Sequence, residues 1–379
     1  MNGPDRNGGF DYRQTGDNRT GGENPRAQRP VSQREARKKI LRPTRHRRLR
    51  MNAAVVIMAA VFLLILCICL IYSMRPAEKE PYESPVLGSD NAVVPETADT
   101  EELDVSDGFE TLTVPNSTVR EGDLILVNYA YAHVLPEDND IVSVYDYKTK
   151  SYKVNNTLTQ MSEAVIEKFN ALMDDFYANS GCGDIMIVSG YRSVEDQQRI
   201  YQDRVETEGA AEAAKYVALP GYSEHHTGLA MDLTVYFSDG TSDYLANYEP
   251  TLWFREHAAE YGFVLRYPES KAEVTKISYE SWHYRYVGTP HAQIMTEKDL
   301  CLEEYTVFLR DYRYNEKYLL YKDGMSAESD TFSQDADAVI YYIPASSGDT
   351  TQLCVPSGCE YTVSGNNVDG FVITSYPNK

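Results

Sequence analysis

The run from Ala53 to Tyr72, AAVVIMAAVFLLILCICLIY, constrains this chain more than any other stretch. It is apolar throughout, contains no Lys, Arg, Asp or Glu, and reaches the roughly 20 residues a helix needs to cross a bilayer. Lipid offers no partner for backbone N–H and C=O groups, so a span of this kind must be helical. The run therefore predicts one transmembrane helix over residues 53–73. Directly before it lies RKKILRPTRHRRLR, Arg37–Arg50. A basic flank holds its side of the span in the cytoplasm, which predicts a cytoplasmic N-terminus and places the remainder outside the cell membrane. The apolar run is longer than the core of a cleaved signal peptide and follows a long tail, so it reads as an uncleaved anchor. The basic stretch alone could suit nucleic acid; its position beside the span favours the membrane, and no nucleic-acid partner is predicted.

Composition divides what lies on either side. Up to Arg50 there are 14 Lys and Arg against 5 Asp and Glu, so the formal charge of −21 is concentrated beyond the tail. Residues 1–52 are rich in Gly, Asn, Pro and Arg without an apolar period. Folding them would cost chain entropy with little surface to bury, which predicts a disordered cytoplasmic tail. Residues 74–118 repeat Pro, Asp, Glu, Ser and Thr and read as an extracellular spacer. A folded domain is expected over 119–313, and a β-rich C-terminal extension over 314–379.

Within the domain, LILVN (Leu124–Asn128) suits a strand. From Thr159 to Tyr177, Met161, Val165, Phe169, Leu172, Met173 and Phe176 recur at helical spacing, a stripe that fits a core face. DIMIV (Asp184–Val188) reads as a strand, Val194–Glu206 as a helix, LAMDLTVYF (Leu229–Phe237) as a strand, Leu245–Tyr261 as a helical stretch and Ser278–Val287 as a further strand. Thr296 and Asp299 look like a cap for a helix running on from Cys301. Beyond Arg313, AVIYYIP, TQLCVP, CEYTV and GFVITSY are short strand candidates. Cys354 and Cys359 could close a local disulfide and Cys182 could pair with Cys301, or all four could stay thiols.

Three fragments carry chemistry: SGYRS (Ser189–Ser193), SEHHTGLAMD (Ser223–Asp232) and ESWHYRYVG (Glu280–Gly288). His225, Asp232 and His283 can offer two imidazoles and a carboxylate to one divalent metal. Three protein ligands leave a position for water or substrate, the mark of a catalytic rather than a structural zinc site. Glu280 could accept a proton from that water. Strand alternation puts Asp232 on the face opposite Met231 and Leu233, which belong to the core. Glu280 and His283 would not share a face of a regular strand, so a bend or irregularity must lie between them. Arg192, just past a strand, could bind a carboxylate or a negative oxygen. Gln198 is the better pocket candidate of its helix, because an amide both donates and accepts. Each of these alone has an ordinary structural reading: a salt bridge for Arg192, surface or fold support for His133, His226 and His257. The set taken together does not.

In order and content, the three fragments resemble the VanY-type D-alanyl-D-alanine carboxypeptidases of the LAS zinc peptidase group, over about Leu124 to Arg310. The resemblance implies that His225, Asp232 and His283 bind Zn2+, that Glu280 is the general acid/base and that Arg192 stabilises the transition state. Gln198, Ser223 and Trp282 fall at or beside substrate-pocket positions. The family often has Pro before the Trp, where this chain has Ser281. The implied fold is α+β: a small antiparallel sheet with flanking helices carrying the zinc site, here with the β-rich extension and the transmembrane helix added. The implied substrates are peptidoglycan stem peptides, and no obligate protein partner is expected. An L,D-carboxypeptidase of the same fold, or a non-catalytic cell-wall peptide-binding protein, is the alternative.

Overall fold

A long amphipathic helix and the sheet it covers organise the part of the fold that carries the three fragments. The computed structural model describes residues 108–133 and 140–378; the expected tail, transmembrane helix and most of the spacer lie outside the described residues. Among the described residues no helix is long and apolar enough to cross a membrane.

Helix α1, Glu163–Ser180, buries Val165, Ile166, Phe169, Leu172, Met173 and Phe176 along one stripe. It ends at Gly181, whose φ of 67° is the left-handed conformation glycine adopts without strain. Its expected start at Thr159 moves forward. Gln160–Ser162 (β4) instead pairs with Ile141–Ser143 (β2), so Met161 enters the core from a strand.

The stripe lies on a mixed sheet ordered β3 (Lys153–Val154), β5 (Ile185–Ser189), β6 (Ala230–Tyr236), β9 (Glu280–Tyr286) and β8 (Phe263–Tyr267), with β7 (Ser242–Asp243) also on β6. The expected sheet was antiparallel. β3 and β5 run parallel, because α1 forms a crossover between them and returns the chain in the same direction. Phe169 packs edge-on against Phe254 of helix α3 (Leu252–His257) and Phe263 of β8. Helix α2, Val194–Glu208, follows β5 as expected. Leu245–Tyr261 is helical only in part, with 3-10 turns on either side of α3. Thr296 lies within helix α4 (His291–Glu297), and helix α5, Leu302–Leu309, is capped by Cys301 and Glu304 instead.

The four C-terminal strand candidates form β12 (Ala338–Pro344), β13 (Thr350–Pro356), β14 (Glu360–Gly365) and β15 (Gly370–Tyr376). Three of them, with β10 (Tyr318–Lys322) and β11 (Met325–Ser329), give a five-stranded sheet ordered β11-β10-β12-β15-β14. The fourth, β13, pairs instead with β1 (Phe109–Pro115). β1 falls inside the stretch expected as spacer, and its half-buried Phe109, Leu112 and Val114 pack with Leu353 and Val355.

LILVN is buried but is not a strand. Its backbone bonds to side chains and loops rather than to a ladder. Leu124 N–H donates to Ser364 Oγ (3.0 Å), Leu126 O accepts from Asn367 Nδ2 (2.8 Å) and Ile125 O accepts from Arg285 Nη2 (3.0 Å). Cys182 and Cys301 are buried thiols, and Cys359 is a thiol 3.2 Å from Ser375 Oγ, so neither suggested bridge forms.

Candidate metal centre and active site

The sheet delivers the metal-binding set from three directions. Asp232 lies on β6, paired with Ser189 of β5 on one side and with His283 of β9 on the other. Met231 and Leu233 point into the core, as alternation requires. His225 arrives on a 3-10 turn, Glu224–Thr227, that leads into β6 through Gly228 at φ 71°. Ser223 starts that turn, its buried hydroxyl accepting from His225 N–H at 3.4 Å. The ligand atoms of His225, Asp232 and His283 lie within 4.8 Å of one another.

Both neighbours of β6 are irregular at the site. On β5, two steps from Ile187 to Ser189 match one step of β6. On β9, the four steps from Glu280 to Tyr284 match only two of β8, from Leu265 to Tyr267. Such bulges re-aim side chains beside functional sites. This is the bend that the Glu280–His283 spacing demands, and it brings Glu280 Oε2 to 3.8 Å from His283 Nδ1.

Each imidazole is oriented through its other nitrogen. His225 Nδ1 is 2.7 Å from Gly190 O, which fixes Nδ1–H as a donor and turns Nε2 toward Asp232 Oδ2 at 3.2 Å. Gly190 must lack a side chain for this: a Cβ would sit 2.3 Å from Gln160 O. His283 Nε2 is 3.2 Å from Glu224 Oε2, while its Nδ1 faces Asp232 Oδ1 at 3.1 Å. Two imidazoles tied from behind and one carboxylate, converging with no fourth donor in the cluster among the described residues, fit a three-ligand zinc site. The His225–Asp232–His283 cluster is a zinc-binding site.

Burial is the largest single influence on each ionisable group of the site. It pushes the Glu280 carboxyl up to about 8, with Asp232 and Glu224 adding to the rise and His283 and Arg192 opposing it. Burial works in the same direction on Asp232, but His225 and His283 outweigh it and hold this carboxyl well below the usual range. For His283, burial favours the neutral ring, yet the hydrogen bonds to Asp232 and Glu224 prevail and raise it to about 9. His225 is lowered, by burial first and then by Arg192.

Arg192 follows β5 and lies beside Asp232, Nη2 to Oδ2 3.6 Å. Its guanidinium is held by Gln197 Oε1 (2.7 Å) and Ser189 Oγ (2.9 Å). Gln198, the expected pocket amide, is exposed; its neighbour Gln197 is 1% exposed and also donates to Ala218 O at 2.7 Å. One residue along a helix turns about 100°, so it is Gln197, not Gln198, that turns inward to hold Arg192. Trp282 is half-buried and stacked on Tyr244, ring centroids 5.3 Å apart.

Glu224, like Gln197, is a site residue that sequence reasoning missed. Fully buried, it accepts from Arg266 Nε (2.8 Å) and Arg285 Nη1 (3.0 Å) through Oε1 while Oε2 faces His283. Burial would raise its pKa, but the two arginines drive it well below the carboxylate range. A signal was present: Arg266 and Arg285 sit inside apolar strand sequences, and buried arginines need a carboxylate partner.

Residues 158–289 match the family described as VanY: D-alanyl-D-alanine carboxypeptidase. A D-alanyl-D-alanine carboxypeptidase of Enterococcus faecium is 34% identical over 277 residues, covering 72% of this chain and 81% of that protein. The bifunctional D-Ala-D-Ala dipeptidase and D-Ala-D-Ala carboxypeptidase VanXYC of Enterococcus gallinarum is 41% identical over 129 residues, covering 33% of this chain and 68% of its own length. Among solved structures, the vancomycin-resistance D,D-dipeptidase VanXYg, in complex with a D-Ala-D-Ala phosphinate analog, superposes with a TM-score of 0.60. It is 35% identical, covering 71% of this chain and 99% of that one.

Proposed function

The chain belongs to the VanY family of D-alanyl-D-alanine carboxypeptidases, and from that premise we propose a membrane-anchored enzyme that trims peptidoglycan stem peptides outside the cell. It is a zinc-dependent D,D-carboxypeptidase. The observation that carries the reading is the convergence of His225, Asp232 and His283 beside a buried Glu280. The apolar run Ala53–Tyr72 with its basic flank supports the anchor and the external location.

Bound zinc supplies a Lewis acid and lowers the pKa of water to near neutrality. Glu280 takes a proton from the water that attacks the scissile carbonyl and returns it to the nitrogen of the departing D-alanine. Burial suits it to that exchange, since a carboxyl raised toward neutral pH both accepts and releases a proton readily. A nearby cation would draw its pKa back down, toward the base form. Arg192, clamped by Gln197 and Ser189, offers a rigid cation to the negative oxygen of the tetrahedral carbon or to the peptide's terminal carboxylate. Ser223 shapes the turn that presents His225, and Trp282 with Tyr244 walls the strand that carries Glu280.

Full-length protein in detergent, supplied with zinc and a stem pentapeptide ending in D-Ala-D-Ala, should release one alanine, read as the mass of the shortened peptide. A tetrapeptide ending in a single D-alanine after an L-centre should stay intact. Cleavage of the tetrapeptide alone would replace this reading by L,D specificity, and binding of either without cleavage would replace it by a non-catalytic role. Protease added outside intact spheroplasts should digest the zinc domain. Its protection there, with digestion after lysis, would reverse the topology.

A further inference from the structure

We propose that Glu303, on α5, is a positioning residue for the metal ligand His283, acting through Arg266 and Glu224. The inference rests on the zinc site and extends it to a residue that touches neither metal nor substrate.

Glu224 has two carboxylate oxygens and three buried claimants. Oε1 takes Arg266 Nε and Arg285 Nη1, which leaves Oε2 to His283 Nε2 at 3.2 Å. That division holds only if Arg266 presents one edge and no more. Glu303 enforces it. Its two oxygens grip Arg266 Nη1 at 2.9 Å and Nη2 at 2.7 Å, the paired geometry that carboxylate and guanidinium favour. Only Nε then remains for Glu224. Arg285 is restrained in the same way, its Nη2 donating to Asp123 O (2.8 Å) and Ile125 O (3.0 Å) and its Nε to Tyr286 O (2.8 Å). Asn128 Nδ2 donates to Glu303 Oε1 at 3.1 Å and so fixes the far end of the chain.

Without Glu303, Nη1 and Nη2 of a fully buried Arg266 lose their acceptors. Of the two carboxylates bonded to that guanidinium only Glu224 is then left, and its second oxygen, Oε2, is the atom that orients His283. Competition for that oxygen would free the His283 ring to rotate and blur which nitrogen faces Asp232. Partners of this kind behind a metal-ligating histidine commonly change metal affinity by about 10- to 100-fold. Glu303 acts one residue further back, so the lower end applies.

The test uses the full chain in detergent, stripped of metal. Zinc affinity is measured by competition with a chromophoric chelator, and the ligand geometry by the visible spectrum of the Co2+-loaded protein. Glu303→Gln should weaken zinc binding about tenfold and change the Co2+ spectrum. Glu303→Asp, too short to grip both nitrogens, should fall between it and the native protein. Glu304→Ala is the control: it removes the α5 cap, Cys301 N–H to Glu304 Oε2 at 3.0 Å, without touching Arg266. It should lower the melting temperature and leave affinity and spectrum unchanged. Native affinity and spectrum in folded Glu303→Gln would overturn the proposal, as would an equal loss in Glu304→Ala. If Glu303→Gln does not fold, Glu303→Asp decides, and native behaviour there overturns it. A native chain that binds no zinc at all would instead defeat the functional reading.

Discussion

Glu280→Gln should lower kcat about a thousandfold while zinc stays bound, because a positioned acid/base contributes on the order of 10²- to 10⁴-fold and no metal ligand is touched. Glutamine matches the shape of the neutral acid but cannot carry a proton between water and the leaving amine. The measurement is single-turnover release of alanine from the pentapeptide, with bound zinc quantified on the same sample. Turnover within about tenfold of native would remove Glu280 from the mechanism. The substitution also has a stability signature in metal-stripped protein. The Glu280 carboxyl ionises near 8 when folded, against an ordinary 4.5. Between those values the unfolded chain gives up its proton first, so the native protein loses stability as pH rises through that window. Glutamine has no proton to lose. The melting temperature of Glu280→Gln, relative to native, should therefore climb from acid to mildly alkaline pH, and a constant gap would contradict the buried, protonated carboxyl.

Glu224→Ala should destabilise the fold by about 3–5 kcal/mol, the usual consequence of stranding a buried charge by removing its partner. Two buried donors lose their acceptor here, since Arg266 Nε and Arg285 Nη1 both bond to Glu224 Oε1, and Arg285 loses its carboxylate partner. The loss would be a large share of the roughly 5–15 kcal/mol that holds a typical domain together. The ion pairs are not thereby a large net source of stability: a whole buried network replaced by apolar residues can be neutral. The penalty comes from leaving Arg266 Nε and Arg285 Nη1 unbonded in the interior. His283 also loses its rear hydrogen bond, so zinc affinity should fall by about 10- to 100-fold. Urea unfolding of the stripped protein checks the first part and chelator competition the second. A stability change under about 1 kcal/mol would show that water or rearranged carbonyls take over the role of the carboxylate.

The metal set was legible in the sequence because its chemistry is local and spaced. Two histidines and an aspartate, arriving in short fragments rich in Gly and strand formers, already specify what each fragment can offer a cation. Even the irregularity of β9 followed from the spacing of Glu280 and His283, which alternation alone cannot put on one side. Other features depended on which face of an element turns inward. Gln197 and Gln198 are identical in chemistry, and nothing in the sequence around them shows which one α2 buries. LILVN has the composition of a strand, but its partners are side chains distant in sequence, Ser364, Asn367 and Arg285, which no local pattern can supply. Glu224 was hidden beside His225, its role visible only once Arg266 and Arg285 close over it.

The pairing of β1 with β13 has a bearing on how the chain reaches its native state. Phe109–Pro115 is the first described strand to leave the ribosome, and Thr350–Pro356 is among the last. The hydrogen bond from Asn116 to Ser346 closes a separation of 230 residues. Contacts so remote must wait until translation is almost complete, and closing so wide a loop slows folding. Until then β1 lacks its partner strand, while Phe109 can already meet Tyr314, Phe332 and Tyr341. Loss of the C-terminal segment would thus undo the other end of the domain, leaving its opening strand as a bare sheet edge ready to pair with another molecule.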